Sequence, residues 1–434
     1  DPWRQVTRSR LGMSALVVLT AYSAVALLDS IHFRRALPSN NKGQVQYAAE
    51  VLSVFDLMVT PLRTHTEKTY SAPLATHLYA KETTQMPDGK TVRVFPRLKY
   101  GGSHLKYPER ERAGDILRTT VTAVAASVLV WIVMSLGVVA WLARRWREPY
   151  ASALTRVMRA RSDLPWHVVL LTAGLLVVLA GWFMALAPLY HVLGTDKVGQ
   201  DVLYQALKSI RTGLVIGTVT TLVTLPFAVL LGIMAGFFKG WVDDVVQYLY
   251  TTLNSIPGVL LIAAAVLMLQ VYIDTHPELF QTQLERSDLR LLFLCIILGV
   301  TSWTGLCRLL RGEALKLSTV DFIQAATALG VSRGRIITRH LLPNVMHIVL
   351  ITLVLDFSGL ILAEAVLSYV GVGVDPVTNS WGNMINAARL EMAREPMVWW
   401  SLTAAFIFMF VLVLAANIFS DTVRDAFDPR LRKQ

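Results

Sequence analysis

Apolar runs of about 18 residues or more recur along this 434-residue chain, each long enough to cross ~30 Å of hydrocarbon as a helix. Eight can be marked, at residues 11–28, 119–143, 167–187, 213–238, 245–272, 291–310, 344–370 and 399–419. A segment in lipid must satisfy its own backbone polar groups, so the runs predict an all-α polytopic membrane protein. A content of 54% hydrophobic residues lies outside the range of soluble domains. The formal charge of +11 could suit nucleic acid, but the basic residues are spread among the loops between runs. That distribution fits topology and contact with membrane lipid, and no nucleic-acid partner is expected.

Charge also orients the spans. Arg4, Arg8 and Arg10 precede the first run, and Arg144, Arg145, Arg147, Arg156, Arg159 and Arg161 crowd one short loop against Glu148 and Asp163. Both are inside markers, and eight spans with both termini cytoplasmic satisfy the short loops. A cleaved signal peptide is the alternative for the first run, but bulky His32 and Phe33 follow without a small-residue cleavage site. Residues 1–28 are therefore read as an anchor, 29–118 as a small α+β extracytoplasmic insertion, and 119–166 as a second span with its basic loop. Residues 167–434 form a six-span body. In the insertion, 44–59 has helix-like apolar spacing, Asp88-Gly89 signals a turn, and 91–100 is strand-like. Asp88-Gly89-Lys90-Thr91 imitates the end of a phosphate loop but lacks its leading glycine. Cys295 and Cys307 lie twelve residues apart on one predicted helix, ~18 Å along its axis, so they are packing residues and not a disulfide.

The chain has no GxxxxGK[ST] loop, HExxH, GxSxG or Cys/His ligand cluster. No enzyme activity, metal or cofactor of its own is expected. What stands out is 324–343, QAATALGVSRGRIITRHLLP, a basic stretch between two long apolar runs. Ala325, Ala326 and Ala328 favour a helix, Gly330 suits its left-handed end, and Pro343 can open the next one. A plain connector without a partner accounts for the same pattern.

The spacing Gln324-Ala325-Ala326, Gly330, Leu342-Pro343 resembles the EAA loop of bacterial ABC importer permeases, with Gln324 for the usual Glu and His340 for an apolar residue. His191-Val192-Leu193-Gly194-Thr195-Asp196 and Gly199-Gln200-Asp201-Val202-Leu203 resemble the HPLGTDxxGRDVL segment of peptide-importer permeases, with Val192 for Pro and Gln200 for Arg. Residues 361–371 (ILAEAVLSYVG) and the terminal Arg424-Asp425-Ala426-Phe427-Asp428-Pro429-Arg430 follow the same habit. Together they are similar to the C-type permease of dipeptide and oligopeptide ABC importers, over about three-fifths of the chain; the hairpin at 1–166 lies outside the resemblance.

The resemblance implies a bacterial inner-membrane subunit that pairs with a second permease, two ATPase subunits and an extracytoplasmic binding protein, with peptide as cargo. ATP and Mg belong to the partner subunits. Coupling then falls to 321–343, through Gln324, Ala325, Ala326, Gly330, Arg335, Arg339, Leu342 and Pro343. Arg335 and Arg339 could equally face lipid headgroups. Nickel chelates or other small solutes are the alternative cargo, and a membrane-anchored scaffold or sensor built around 29–118 is the alternative class. The route needs polar groups within the spans. Asp356, thirteen residues after Pro343 and ~20 Å along a helix, is placed inside the hydrocarbon to attract a peptide's amino group or pair with a partner's cation. Asn254 and Ser255 beside Pro257 could line the route or bond between helices. Glu364, a further candidate for the route, is expected near the outer boundary, where a structural hydrogen bond or a contact with the delivery protein fits better than direct substrate binding. Asp201 is expected to cap an amphipathic helix through Ile210 lying on the outer surface.

Overall fold

The computed structural model describes residues 2–37, 46–85, 91–160, 162–276, 278 and 282–427. Along them run α1 (Pro2–Arg8), α2 (Arg10–Ser30), β1 (His32–Leu37), β2 (Gln46–Ser53), α3 (Val54–Met58), α4 (Thr60–Thr64), β3 (Glu82–Gln85) and β4 (Thr91–Val94). Then come α5 (Pro108–Trp146), α6 (Tyr150–Met158), α7 (Trp166–Leu186), α8 (Val202–Phe238), α9 (Trp241–Ser255), α10 (Gly258–Thr275) and α11 (Gln283–Leu317). The chain closes with α12 (Asp321–Ala328), α13 (Arg333–Ile336), a π-turn (Ile337–Leu341), α14 (Leu342–Tyr369), α15 (Trp381–Glu391) and α16 (Trp400–Phe427). Eight helices are long and apolar enough to cross a membrane: α2, α5, α7, α8, α10, α11, the run from α13 through α14, and α16. They fall on the eight apolar runs of the sequence.

Two compact units share these elements, residues 1–212 with 379–422, and residues 213–378 with 423–434. In the first, α5 and α7 form a hairpin in which Trp131 Nε1 donates to the Leu170 carbonyl at 2.7 Å. Trp182 Nε1 donates to Thr120 Oγ1 at 3.1 Å farther along the same pair. The Tyr22 hydroxyl of α2 donates to the Phe408 carbonyl of α16 at 3.0 Å, so the N-terminal helix is packed into the body. The insertion carries two antiparallel hairpins, β1–β2 and β3–β4, and buries Leu52, Phe55, Leu62, Leu78, Leu98 and Leu105. In the second unit one core gathers Ile233, Trp303, Leu306, Leu310 and Val345, and a neighbouring one gathers Ile216, Val266, Leu294, Leu298 and Leu367. Cys295 and Cys307 are buried and unpaired on α11.

Four local expectations are corrected. Residues 44–59 are not one helix: Gln46–Ser53 pairs with β1, and only Val54–Met58 is helical, started by a capping box of Ser53 and Asp56. The second span begins at Pro108, whose fixed φ suits a first helical turn, so a polar stretch extends α5 ahead of the apolar run. Asp201 does cap a helix, its Oδ1 accepting from the Leu203 and Tyr204 amides at 2.8 and 3.2 Å. That helix is α8, running unbroken to Phe238, and not a separate surface element. The fifth span is divided, because Pro257 drives Ile256 into extended backbone (φ −92°, ψ 129°) between α9 and α10. The Asp88-Gly89-Lys90 turn and the final Asp428-Pro429-Arg430 lie outside the described residues.

Candidate functional site

The segment at 321–343 is rooted by its apolar residues and open on its other side. Ile323, Ile336 and Leu341 are buried in the core that holds Tyr250, Leu306 and Val345. Gln324, Ala325 and Ala328 are exposed, beside Phe322 and Leu329, the latter 84% exposed. Gln324 folds back, Nε2 donating to the Thr319 carbonyl at 3.1 Å. Helix α12 stops in a Schellman motif: the Val331 amide donates to the Ala326 carbonyl and the Gly330 amide to that of Thr327, both at 3.1 Å. Gly330 adopts φ +76°, left-handed backbone that a side chain disfavours, and space around it is open. A Cβ there would strain the turn without striking anything.

Pro343 shapes the other end. It has no N–H for the Arg339 carbonyl, and its ring would strike that group in a regular helix. The preceding turn widens instead, Leu342 donating to the Ile337 carbonyl five residues back. Thus α13 and α14 are one continuous run rather than two helices, and the break is at Gly330 alone. Arg333 lies over the Phe238 ring, 5.9 Å from its centroid. Arg335 and Arg339 are exposed and have no ion-pair partner among the described residues. Elsewhere in the same unit, Arg311 of α11 holds Asp243 of α9 with Nε and Nη2 contacts of 2.5 and 2.8 Å.

Farther along α14, Asp356 lines a cavity of about 260 Å³ with Thr221, Thr224 and Ser302 among leucines. It has no hydrogen-bond or ion-pair partner among the described residues, whereas intramembrane carboxylates are ordinarily paired. Asn254 lies outside this lining and accepts from Thr304 Oγ1 at 3.0 Å, linking α9 to α11. Ser255 bonds back to the Thr251 carbonyl at 2.8 Å, and Pro257 is exposed at the break. Glu364 is 1% exposed and accepts from Ser368 Oγ at 2.7 Å, a buried bond within α14 away from the cavity lining.

Sequence reasoning missed the charges that fasten the insertion to the 191–208 segment. His191, 3% exposed, places Nδ1 2.8 Å from Asp201 Oδ2 and Nε2 3.4 Å from Glu67 Oε1. Glu67 also accepts from the Lys99, Tyr100 and Gly101 amides at 2.9, 2.8 and 3.2 Å. Burial alone would lower the His191 pKa, but its bonds to Asp201 and Glu67, and their charges, outweigh it and raise the value to about 9. Burial would likewise raise Glu67, yet the His191 and backbone hydrogen bonds hold it at about 2. Gly199 is required here for space as well as φ, since a Cβ would sit 1.9 Å from the Glu67 carbonyl. A second cluster sets Lys208 Nζ 2.6 Å from Asp29 and 3.2 Å from Asp56, with Ser53 Oγ donating to Asp29 and the Tyr204 hydroxyl to Asp56. The only sequence signals were the unusual Lys208 and His191 at the edges of apolar runs, and neither names a partner.

A family model described as "Binding-protein-dependent transport system inner membrane component" matches residues 228–433. The oligopeptide transport system permease protein of Mycobacterium tuberculosis is 32% identical over 242 residues, covering 56% of this chain and 77% of its own. The dipeptide transport system permease protein of Lactococcus lactis subsp. cremoris is 32% identical over 240 residues, 55% of this chain and 64% of its own length. The glutathione transport system permease protein of Pectobacterium atrosepticum is 28% identical over 322 residues, 67% of this chain and 99% of its own. The eight apolar helices and these matches agree: the chain belongs to the family of binding-protein-dependent transport system inner membrane components.

Proposed function

We propose that the chain is one of two permease subunits of an ATP-driven importer of short peptides, working with two ATPase subunits and an extracytoplasmic binding protein. Both termini and the 321–343 turn face the cytoplasm, and residues 29–118 lie outside. The subunit hydrolyses nothing: ATP and Mg²⁺ sit on the partner subunits. The observation that carries the reading is the build of 321–343, whose apolar side is fixed in the core while Phe322, Ala325, Ala328 and Leu329 stay uncovered. Small residues beside an exposed apolar knob suit helix-in-groove docking. Closure of the ATPase pair would move this turn, and the α13–α14 run rooted with it would carry the motion to the cavity. Peptide as cargo is supported by the relatives' names and by a largely apolar cavity in which an unpaired carboxylate sits with three hydroxyls.

The complex, purified with its partners and returned to lipid, should raise its ATP turnover when given loaded binding protein and peptides of a few residues. Stimulation by a non-peptide solute, with none by any peptide, would overturn the cargo assignment. Asp356 is the group proposed to meet a peptide's ammonium. Asp356→Asn should lower uptake of peptides with free N-termini about tenfold or more, the scale of a lost charge-assisted bond, and leave N-acetylated peptides nearly unaffected. Equal losses for both would remove amine recognition while leaving the permease assignment standing.

A further inference from the structure

At the end of the first unit where α2 and α7 begin, Arg8, Arg10, Ser162, Asp163, Pro165 and His167 line a polar pocket of about 340 Å³. We propose that it binds the phosphate of an anionic phospholipid headgroup, whose acyl chains lie along the adjoining helix faces. The pocket is cationic on balance. Arg10 has no partner among the described residues, and the Arg8–Asp163 pair at 3.0 Å is exposed on both sides, so Asp163 screens only one guanidinium and holds it weakly. His167 Nδ1 is sealed from solvent without a hydrogen-bond partner, an unmet polar atom that a ligand oxygen would satisfy.

The apolar surroundings favour lipid over a free anion. His167, Leu171 and Leu175 fall on one face of α7 at four-residue spacing, and Leu171 is 68% exposed with Leu175 close behind. Leu11, next to Arg10, is 69% exposed. An anion that stopped at the pocket would leave these leucines bare, whereas a lipid covers them with its own chains. Indoles mark the same level: Trp166 opens α7 and meets Trp141 edge-on at 6.5 Å, with Arg145 over the Trp141 ring. Such aromatics gather at the headgroup boundary.

The test uses the full chain in neutral detergent, titrated with phosphatidylglycerol, phosphatidylcholine or inorganic phosphate, and read by melting temperature and native mass spectrometry. Phosphatidylglycerol should raise the melting temperature and persist as a bound adduct, and the other two should do neither. Arg10→Gln should weaken the phosphatidylglycerol response about fivefold, the size of one basic side chain at an anionic surface. Arg10→Lys should keep most of it, and Arg145→Gln, on the neighbouring surface, should barely move it. If Arg10→Gln does not fold in neutral detergent, His167→Ala is read in the same titration. A matching response to phosphatidylcholine means that charge is not read, and one to inorganic phosphate means that no lipid is required. Either result overturns the proposal, as does an equal loss in Arg145→Gln, which would reflect diffuse surface charge.

Discussion

Replacing Leu329 with aspartate should reduce uptake to background while the chain still inserts, folds and melts as before. The two readouts separate because Leu329 is 84% exposed and adds nothing to the core, whereas Ile323 six residues earlier is buried in it. An apolar knob that is the anchor of a groove is worth about 2 kcal/mol on truncation, about a thirtyfold loss of affinity. A carboxylate forced into that groove costs more, because it must shed water without gaining a partner. Gly330→Val should act on the same interface by another route. At φ +76° a side chain strains the backbone by roughly 1–2 kcal/mol, and the turn relieves this by swinging the exposed end of α12 away from its docked direction. Ile323→Ala is the control with the opposite signature, a loss of roughly 2–5 kcal/mol in the chain's own stability. Copurification of the ATPase subunits, followed beside uptake, checks the argument. Full retention of both in Leu329→Asp would mean that force enters the subunit elsewhere.

The parts of this architecture that could be read from sequence are those whose physics is local. A span in lipid must close its own hydrogen bonds over about 20 residues, so each of the eight helices leaves its signature where it lies. Gly330 and Pro257 were legible for a similar reason: a left-handed helix end and a missing N–H act within one turn. Even there, context altered details. Pro343 was expected to separate two helices, but a single widened turn accommodates its ring and α13 runs on into α14. Residues 46–53 have helical spacing yet form β2, because β1 offers a ladder that only the folded insertion brings alongside.

Pairing across the chain left no such mark. Asp29 and Lys208 are 179 positions apart, and Glu67 and His191 are 124 apart. Nothing in periodicity or composition joins them. The attachment of the insertion to the 191–208 segment has no local signature. A structural hydrogen bond could be expected for Glu364, but not its partner Ser368, nor that Asp356, eight positions earlier, lines a cavity. On a helix, those eight positions decide between a structural bond and a transport surface through neighbours that belong to other helices.

The charge clusters at the insertion carry the second large effect, and pH separates them. His191 is protonated in the folded chain with its pKa raised to about 9. A proton bound more tightly folded than unfolded stabilises fully below the unfolded value near 6.5, and that stability is lost as pH rises through 9. Over that window the insertion should lose on the order of 3 kcal/mol, seen as faster amide exchange across residues 46–107 at matched intrinsic rates. His191→Ala should cost roughly 3–5 kcal/mol at pH 7, because Glu67 and Asp201 stay buried without their cation, and the alkaline slope should vanish. Lys208→Met strips the cation from Asp29 and Asp56 and should cost a similar amount. There the slope between pH 6.5 and 9 should survive, because His191 is untouched. If Lys208→Met flattened the slope, or His191→Ala kept it, the imidazolium would not be the group that makes the attachment of the insertion sensitive to base.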